Sequence, residues 1–373
     1  MVDFLIGIWD YVVPFLAVLT ALVFVHEMGH YLVARYNRVR IEVFSVGFGP
    51  ELFGFNDRTG TRWKFSVIPL GGYVKMFGDR DGSSAPDTEA IGVMTEAERA
   101  VSFYHKPLGQ RAAIVSAGPI ANFLFAIVIF TGFYMVYGQP ATIPQITSVE
   151  AGSAAERAGL QIDDLIIAID GGRIDRFEEV QLIVLTGLGA PMEIVVLRDG
   201  ANVSLTAVPD VIDFTDRFGN VSKIGRLGVR SSTIVFEEHG LFSAMWQATR
   251  STYDYSLVTL KAIGQFISGT RSTKEMAGPI GIAKMSGDMA RTGLSGILWF
   301  TAILSINLGL INLFPVPVLD GGHLLFYIFE AIRGRPLSAR VQEYGFRFGL
   351  GLVLLLMIFV TWNDLVNIVG RLV

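Results

Sequence analysis

The chain has 373 residues, of which 51% are hydrophobic and 17% charged, and its formal net charge is −4. Soluble globular proteins carry about 25% charged residues, so this balance argues against an ordinary soluble enzyme and indicates an integral membrane protein with soluble parts. There is no cysteine, which excludes disulfide bonds, thiolate zinc sites and a cysteine nucleophile. There is also no basic tract of the kind that binds nucleic acid.

Four segments are long and apolar enough to cross a bilayer, which takes about 20 residues. They lie within residues 1–36, 108–138, 293–322 and 345–370. The N-terminus lacks a basic region and a small-residue cleavage site, so we expect the first span to be retained. Basic residues follow the first span, precede the second, and fill the connection between the third and fourth. This pattern predicts that those connections are cytoplasmic.

The first span ends in a metal-binding pattern, His26-Glu27-x-x-His30. On a helix, residues four apart share a face, so both histidines can bind one ion while Glu27 reaches a water beside it. A catalytic zinc needs three protein ligands and an open fourth position, so a third ligand is expected elsewhere. Burying these polar side chains in an apolar span without a function would be costly.

The connection at residues 37–107 contains a strand-like stretch, RWKFSVIPLGGYVKMFG, which is interrupted at Gly71 and Gly72. Its alternation and its β-forming residues predict a hairpin or sheet edge on the cytoplasmic side. The second span that follows is nearly featureless apart from Asn122.

Residues 143–210 are soluble in character and punctuated by turns. The stretch MEIVVLRDGANVSLTAV predicts a hairpin that turns at Asp199-Gly200, and a short helix and an apolar strand are predicted before it. We therefore expect one small α/β domain here, on the opposite side of the membrane from the cytoplasmic connections. For residues 211–292 we expect a linker followed by an amphipathic helical region.

The third span ends in NLFPVPVLDGGH, residues 312–323. Pro315 and Pro317 break a helix, and Asp320 follows an uncharged run at nearly the same predicted membrane depth as His26. An acid at such a depth is costly unless it is paired, and is a functional candidate. Asp320 is therefore the favoured third metal ligand.

Other assignments stay open on the residues alone. Asp320 could instead be the N-cap of the following helix, and His323 could be the third ligand. We expect His105 and His239 to be ordinary polar residues.

These features together resemble the site-2 protease family, the M50-type intramembrane zinc metalloproteases, and in particular its bacterial RseP-like branch. The resemblance rests on HEMGH, VSAGPIANF and NLFPVPVLDGGH in the first three spans, with a PDZ-like region between the second and third. It covers nearly the whole chain. It implies a polytopic α-helical membrane protein with about four transmembrane helices, a membrane-associated β-hairpin or sheet, and one inserted α/β PDZ-like domain.

The resemblance also implies a site and a reaction. By position, Zn²⁺ is held by His26, His30 and Asp320, and Glu27 activates water for peptide hydrolysis. Substrate-binding roles are implied for Asn312, Asn122, Gly71 and Gly72. The implied substrates are single-pass membrane proteins, either an anti-sigma factor or a signal-peptide remnant. The implied location is the bacterial inner membrane, in contact with lipid, with the active site near the cytoplasmic face and the PDZ-like domain outside the cytoplasm.

The chain departs from this branch in one respect. RseP-like proteins carry two tandem PDZ domains, whereas residues 211–236 show no second copy of the AGL…IDG pattern. A single such domain could bind peptide ends by strand addition or act as a steric filter. A non-proteolytic alternative is a metal-binding membrane carrier or a PDZ-bearing scaffold. We favour the protease because a carrier needs polar residues along several spans and a scaffold has no use for Glu27.

Overall fold

The computed structural model describes residues 2–82, 87–215, 221–269 and 276–369. The chain divides into two compact units, one formed by Met1–Phe133 with Phe242–Val373 and the other by Tyr134–Leu241. Four helices of the described part are long and apolar enough to cross a membrane. They are Trp9–Tyr36, Leu108–Val136, Leu294–Asn312 and Arg340–Val366.

Helices make up most of the larger unit and short ones occur in the smaller. In chain order the described helices are α1 (Val2–Tyr36), α2 (Thr88–Gly92), α3 (Glu96–Val101), α4 (Leu108–Val136), α5 (Ala154–Arg157), α6 (Phe177–Thr186), α7 (Leu241–Ile267), α8 (Pro279–Arg291), α9 (Leu294–Asn312), α10 (Asp320–Arg333) and α11 (Ala339–Val369). A 3₁₀ turn covers Phe103–His105.

A sheet follows the first span, built from β1 (Ile41–Asn56) and β2 (Arg62–Met76). Its tight turn lies at residues 57–61, upstream of the Gly71-Gly72 interruption. Gly71 adopts φ +140° where β2 bends, and a Cβ there would lie 2.2 Å from Phe48 Cε2. Because of this bend, β1 has partners on both sides at Val46, which pairs with Phe65 and with Gly72.

Aromatic side chains fix this sheet to α1. Phe44 stacks on Trp63 with ring centroids 4.3 Å apart, and meets Phe24 and Tyr31 edge-on. Tyr31 Oη and Trp63 Nε1 both donate hydrogen bonds to Asp57 Oδ2, at 2.9 Å and 3.2 Å. The sheet is therefore attached to the same helix that carries the H-E-x-x-H pattern.

The third span is shorter than the predicted 293–322, because α9 ends at Asn312. A non-helical stretch with Pro315 and Pro317 follows, since proline lacks the N–H that a helix interior needs. The next helix, α10, begins at Asp320. Gly321 and Gly322 lie in its tightly packed first turn, where added Cβ atoms would come within 2.2 Å and 2.3 Å of backbone carbonyls in the preceding stretch. They set the position of Asp320 by close packing.

The smaller unit contains the remaining described strands. These are β3 (Gln139–Thr142), β4 (Ser148–Val149), β5 (Leu165–Ile169), β6 (Gly172–Arg173), β7 (Met192–Arg198), β8 (Ala201–Ala207), β9 (Asp210–Thr215), β10 (Val221–Arg226), β11 (Val229–Arg230) and β12 (Ile234–Glu237). Four of them form an antiparallel sheet in the order β6-β5-β7-β8.

This unit extends beyond the predicted 143–210. Strand β11 pairs with β4, and β12 pairs with β3, so part of the predicted linker belongs to the same unit. Inside it, Asp164 is buried and receives two hydrogen bonds of 2.7 Å from Arg198. Burial alone would raise the pKa of the Asp164 carboxyl, but the hydrogen bonds from Arg198 and from the Gln161 N–H lower that pKa overall.

Candidate metal centre

Three side chains from distant parts of the chain meet at one point. His26 and His30, one turn apart on α1, place their Nε2 atoms 3.2 Å from each other. Asp320 places Oδ2 3.1 Å from His26 Nε2 and 3.5 Å from His30 Nε2. The N-cap of α10 is Leu319, so the alternative N-cap role for Asp320 does not hold.

These distances fit a tetrahedral zinc site. Ligand atoms about 2.0–2.1 Å from zinc, at tetrahedral angles, lie about 3.3 Å from one another. The three measured separations lie on either side of that value. Asp320 Oδ2 is also buried and receives no hydrogen bond from the described residues, which is unusual unless a cation is its partner. Among the described residues, no other cluster of three or more histidine, aspartate or glutamate side chains has a geometry that could hold a metal.

Helix α4 packs directly against the two imidazoles. A Cβ at Gly118 would lie 2.3 Å from His30 Nε2 and 2.8 Å from His26 Cε1, so only glycine fits. His30 Nδ1 lies 2.9 Å from the Ile114 carbonyl oxygen, which can only accept a hydrogen bond. The hydrogen is therefore on Nδ1, and Nε2 keeps its lone pair free for a metal.

Glu27 lies between the three candidate ligands and the sheet. A Cβ at Gly72 would be 3.2 Å from Glu27 Cγ, and the Glu27 carboxylate faces the backbone N–H of Val74. Glu27 lines the same cavity as His26, His30 and Asp320. A carboxylate in this place can exchange a proton with a water beside a metal ion.

The cavity has a volume of about 630 Å³. Of the four residues expected to bind substrate, Gly72 and Asn312 line it, while Gly71 shapes the bend of β2. Asn122 lies elsewhere: it is fully buried, and its Nδ2 is 3.1 Å from His26 Nδ1. The structure therefore brings Asn122 to a candidate metal ligand.

The remaining histidines are outside the cluster of three. His323 lines the cavity but is not one of the three clustered side chains. His105 is exposed in the 3₁₀ turn. His239 lies in the smaller unit, where its Nε2 is 3.1 Å from Gln139 Oε1.

Polar residues that the sequence analysis missed line another part of the cavity. Asp79 accepts hydrogen bonds from the Met76 N–H at 2.7 Å and from Tyr104 Oη at 2.8 Å. Burial is the largest influence on this carboxyl and raises the pKa of Asp79 to about 7. Arg111 and Glu330 form a partly buried ion pair there. These partners are far apart in sequence, so no local pattern indicated them.

Comparison with known proteins identifies the family. A sequence model of peptidase family M50 matches residues 14–356. Proteins of Agrobacterium fabrum and Rhizobium meliloti that are named as zinc metalloproteases are each 45% identical to this chain. The first match covers 364 residues, 96% of this chain and 97% of the relative, and the second covers 361 residues, 95% and 96%.

A metalloprotease of Caulobacter vibrioides, MmpA, is 38% identical over 384 residues, 97% of this chain and 96% of the relative. The four apolar helices agree with a membrane protein. The family match covers most of the chain, including both segments that meet at the cluster of His26, His30 and Asp320. The chain therefore belongs to peptidase family M50 and is a membrane-bound zinc metalloprotease.

Proposed function

We propose that this protease cleaves single-pass transmembrane proteins at the membrane boundary, with His26, His30 and Asp320 as the zinc ligands and Glu27 as general base. The observation that carries the proposal is the meeting of an α1 histidine pair with the α10 carboxylate, beside Glu27, at the end of an apolar span. A hydrolytic site is expected at the membrane boundary if the scissile peptide bond of the substrate also lies there.

The proposed chemistry is hydrolysis of a peptide bond. Bound zinc supplies Lewis acidity, which polarises a carbonyl and lowers the pKa of a water beside it. Glu27 accepts a proton from the attacking water as the new C–O bond forms. It then returns that proton to the nitrogen as the C–N bond breaks, and the products are a carboxylate and an amine.

Residues 72–76 of β2 are proposed to hold the substrate in an extended form. A transmembrane helix hides its carbonyls in internal hydrogen bonds, so it must unwind before attack. In the described part of the chain, this segment pairs with β1 on one side only, and Gly72 lines the cavity. Its other edge, where the Val74 and Met76 N–H groups already face Glu27 and Asp79, can offer its remaining backbone groups to a substrate by strand addition.

The wider role follows the family resemblance. We propose regulated intramembrane proteolysis of an anti-sigma factor or a signal-peptide remnant in a bacterial inner membrane. The basic residues beside the spans support a cytoplasmic position for the catalytic end and an extracytoplasmic one for the smaller unit. That unit is proposed to be PDZ-like and either to bind peptide ends or to exclude large substrates.

The test compares Glu27→Gln with the parent, using purified full-length protein in lipid nanodiscs and a single-pass model substrate. We expect the variant to keep about one zinc per chain and to lose at least about 100-fold in cleavage rate. The control variant is Glu178→Gln, which changes an exposed glutamate of α6. This variant should cleave the substrate at the parental rate. Normal cleavage by Glu27→Gln, or a zinc-loaded parent that never cleaves this substrate, would contradict the proposal.

A further inference from the structure

We propose that Asn122 is a positioning residue for the metal centre, whose side-chain oxygen accepts a hydrogen bond from His26 Nδ1–H and so aims Nε2 at the metal. This inference rests on the proposed zinc site. It gives Asn122 a different role from the substrate contact that the family resemblance implies.

The surroundings of Asn122 argue against substrate contact. Its side chain is 0% exposed and is not among the residues that line the cavity over His26, His30 and Asp320. Ser305 Oγ of α9 donates a 2.7 Å hydrogen bond to the Asn122 backbone carbonyl, which ties this turn of α4 to the neighbouring span. The amide is therefore held against His26 from behind, away from the space a substrate would use.

The hydrogen-bond partners of the Asn122 amide indicate which amide atom must face the imidazole. Asn122 Nδ2 stands 3.1 Å from His26 Nδ1, while Asn122 Oδ1 is buried and has no hydrogen-bond partner in the part of the chain that the structure describes. If His26 binds zinc through Nε2, its one ring hydrogen is on Nδ1, and the atom opposite must be an acceptor. An amide NH₂ cannot accept that hydrogen bond, but the amide oxygen can.

A half-turn of the amide about its Cβ–Cγ bond removes the mismatch with His26 Nδ1–H and gives Oδ1 a hydrogen-bond donor. The carbonyl oxygen and the NH₂ group have nearly the same shape, so the exchange needs no repacking. Oδ1 then accepts from His26 Nδ1–H, and the NH₂ moves to a position where Oδ1 makes no hydrogen bond that could be lost. Zinc-binding histidines generally have such an outer partner, which fixes the ring orientation and the tautomer.

Asn122 belongs to a stripe on one face of α4. Ile114, Gly118 and Asn122 follow one another at intervals of four residues, so they share a helix face. The Ile114 carbonyl accepts from His30 Nδ1, Gly118 leaves room for both imidazoles, and Asn122 faces His26. One face of this span therefore contacts both histidines.

The test measures zinc affinity of the purified full-length protein by competition with a fluorescent zinc chelator. We expect Asn122→Leu, which removes the acceptor at similar volume, to weaken zinc binding about 10- to 100-fold. Asn122→Asp keeps an acceptor oxygen and should restore the affinity to within about threefold of the parent. The matched control is Thr131→Val on the same helix, which removes a hydrogen bond to the Ile127 carbonyl and should leave zinc affinity unchanged.

Two results would overturn the positioning role. Parent-like zinc affinity in Asn122→Leu with a raised KM would assign Asn122 to substrate binding. Equal loss of zinc affinity in the leucine and aspartate variants, with equally lowered Tm, would show that Asn122 contributes packing alone. Failure of the parent to bind zinc would overturn the metal site itself, which is a different result from either of these.

Discussion

Replacing Gly118 by alanine should damage the metal centre while leaving the fold intact. The added Cβ would lie 2.3 Å from His30 Nε2, whereas nonbonded heavy atoms normally stay at least about 3.5 Å apart. His30 must therefore move by about 1 Å, several times the ~0.2 Å within which metal–ligand distances normally vary. A misplacement of about 1 Å can lower a catalytic rate 100-fold. We expect zinc affinity and cleavage each to fall by at least that factor.

Stability should respond differently from zinc binding. Alanine is favoured over glycine in a helix interior by about 1 kcal/mol, so helix propensity alone predicts no loss of stability in the metal-free protein. Chelator competition reports zinc affinity, cleavage of a single-pass substrate reports activity, and Tm in the presence of a chelator reports the fold. The matched control is Gly132→Ala on the same helix, where the Cβ meets no atom of the described chain within 4 Å.

Zinc binding and substrate cleavage by Gly118→Ala at the level of Gly132→Ala would contradict this prediction. That outcome would mean that His30 is not held against α4 as the structure shows. An equal loss of zinc affinity in both alanine variants would also refute it, because the effect would then belong to α4 as a whole and not to the contact with His30.

Two further predictions concern buried carboxylates outside the metal cluster. Burial raises the pKa of Asp79 from 3.8 to about 7, so the native state binds the extra proton and stability should fall, by up to about 4 kcal/mol, as pH rises from about 4 to 7. Asp79→Asn should remove this part of the pH dependence of Tm, and an unchanged pH profile would contradict it. Arg198→Leu leaves the Asp164 carboxylate buried without its partner and should lower the free energy of unfolding by about 3–5 kcal/mol. Arg173→Leu, which breaks an exposed pair, should change it by less than about 0.5 kcal/mol, and similar losses in both variants would refute the comparison.

Much of the architecture could be predicted because it depends on local sequence patterns. Uncharged runs of sufficient length indicated the four apolar helices, and the four-residue spacing of His26 and His30 required a shared helix face. The proline pair after Asn312 marked where α9 ends, although the predicted span ran on to residue 322. Asp199-Gly200 gave the turn between β7 and β8. Each of these depends on neighbours within a few positions.

Pairings between segments that are distant in sequence were harder to predict. Strand β11 pairs with β4 across 80 to 82 residues and β12 pairs with β3 across 92 to 98 residues, so the smaller unit extended beyond its predicted limit. The ion pair of Arg111 with Glu330 and the bond of Asp79 with Tyr104 left no periodic signal. Asn122 could be marked as unusual in an apolar span, but its partner, His26, could not be read from the sequence.

The order of residues along the chain was sufficient to identify a polytopic membrane protein with a histidine pair and a nearby glutamate at the end of one span. Local helix geometry and the cost of polar groups in lipid are enough for that conclusion. The folded arrangement of the helices was needed to show that Asp320 closes a triangle of about 3.3 Å with those histidines, and that α4 contacts both imidazoles. Such distances depend on how three helices pack, and packing is fixed by contacts between residues far apart in the chain.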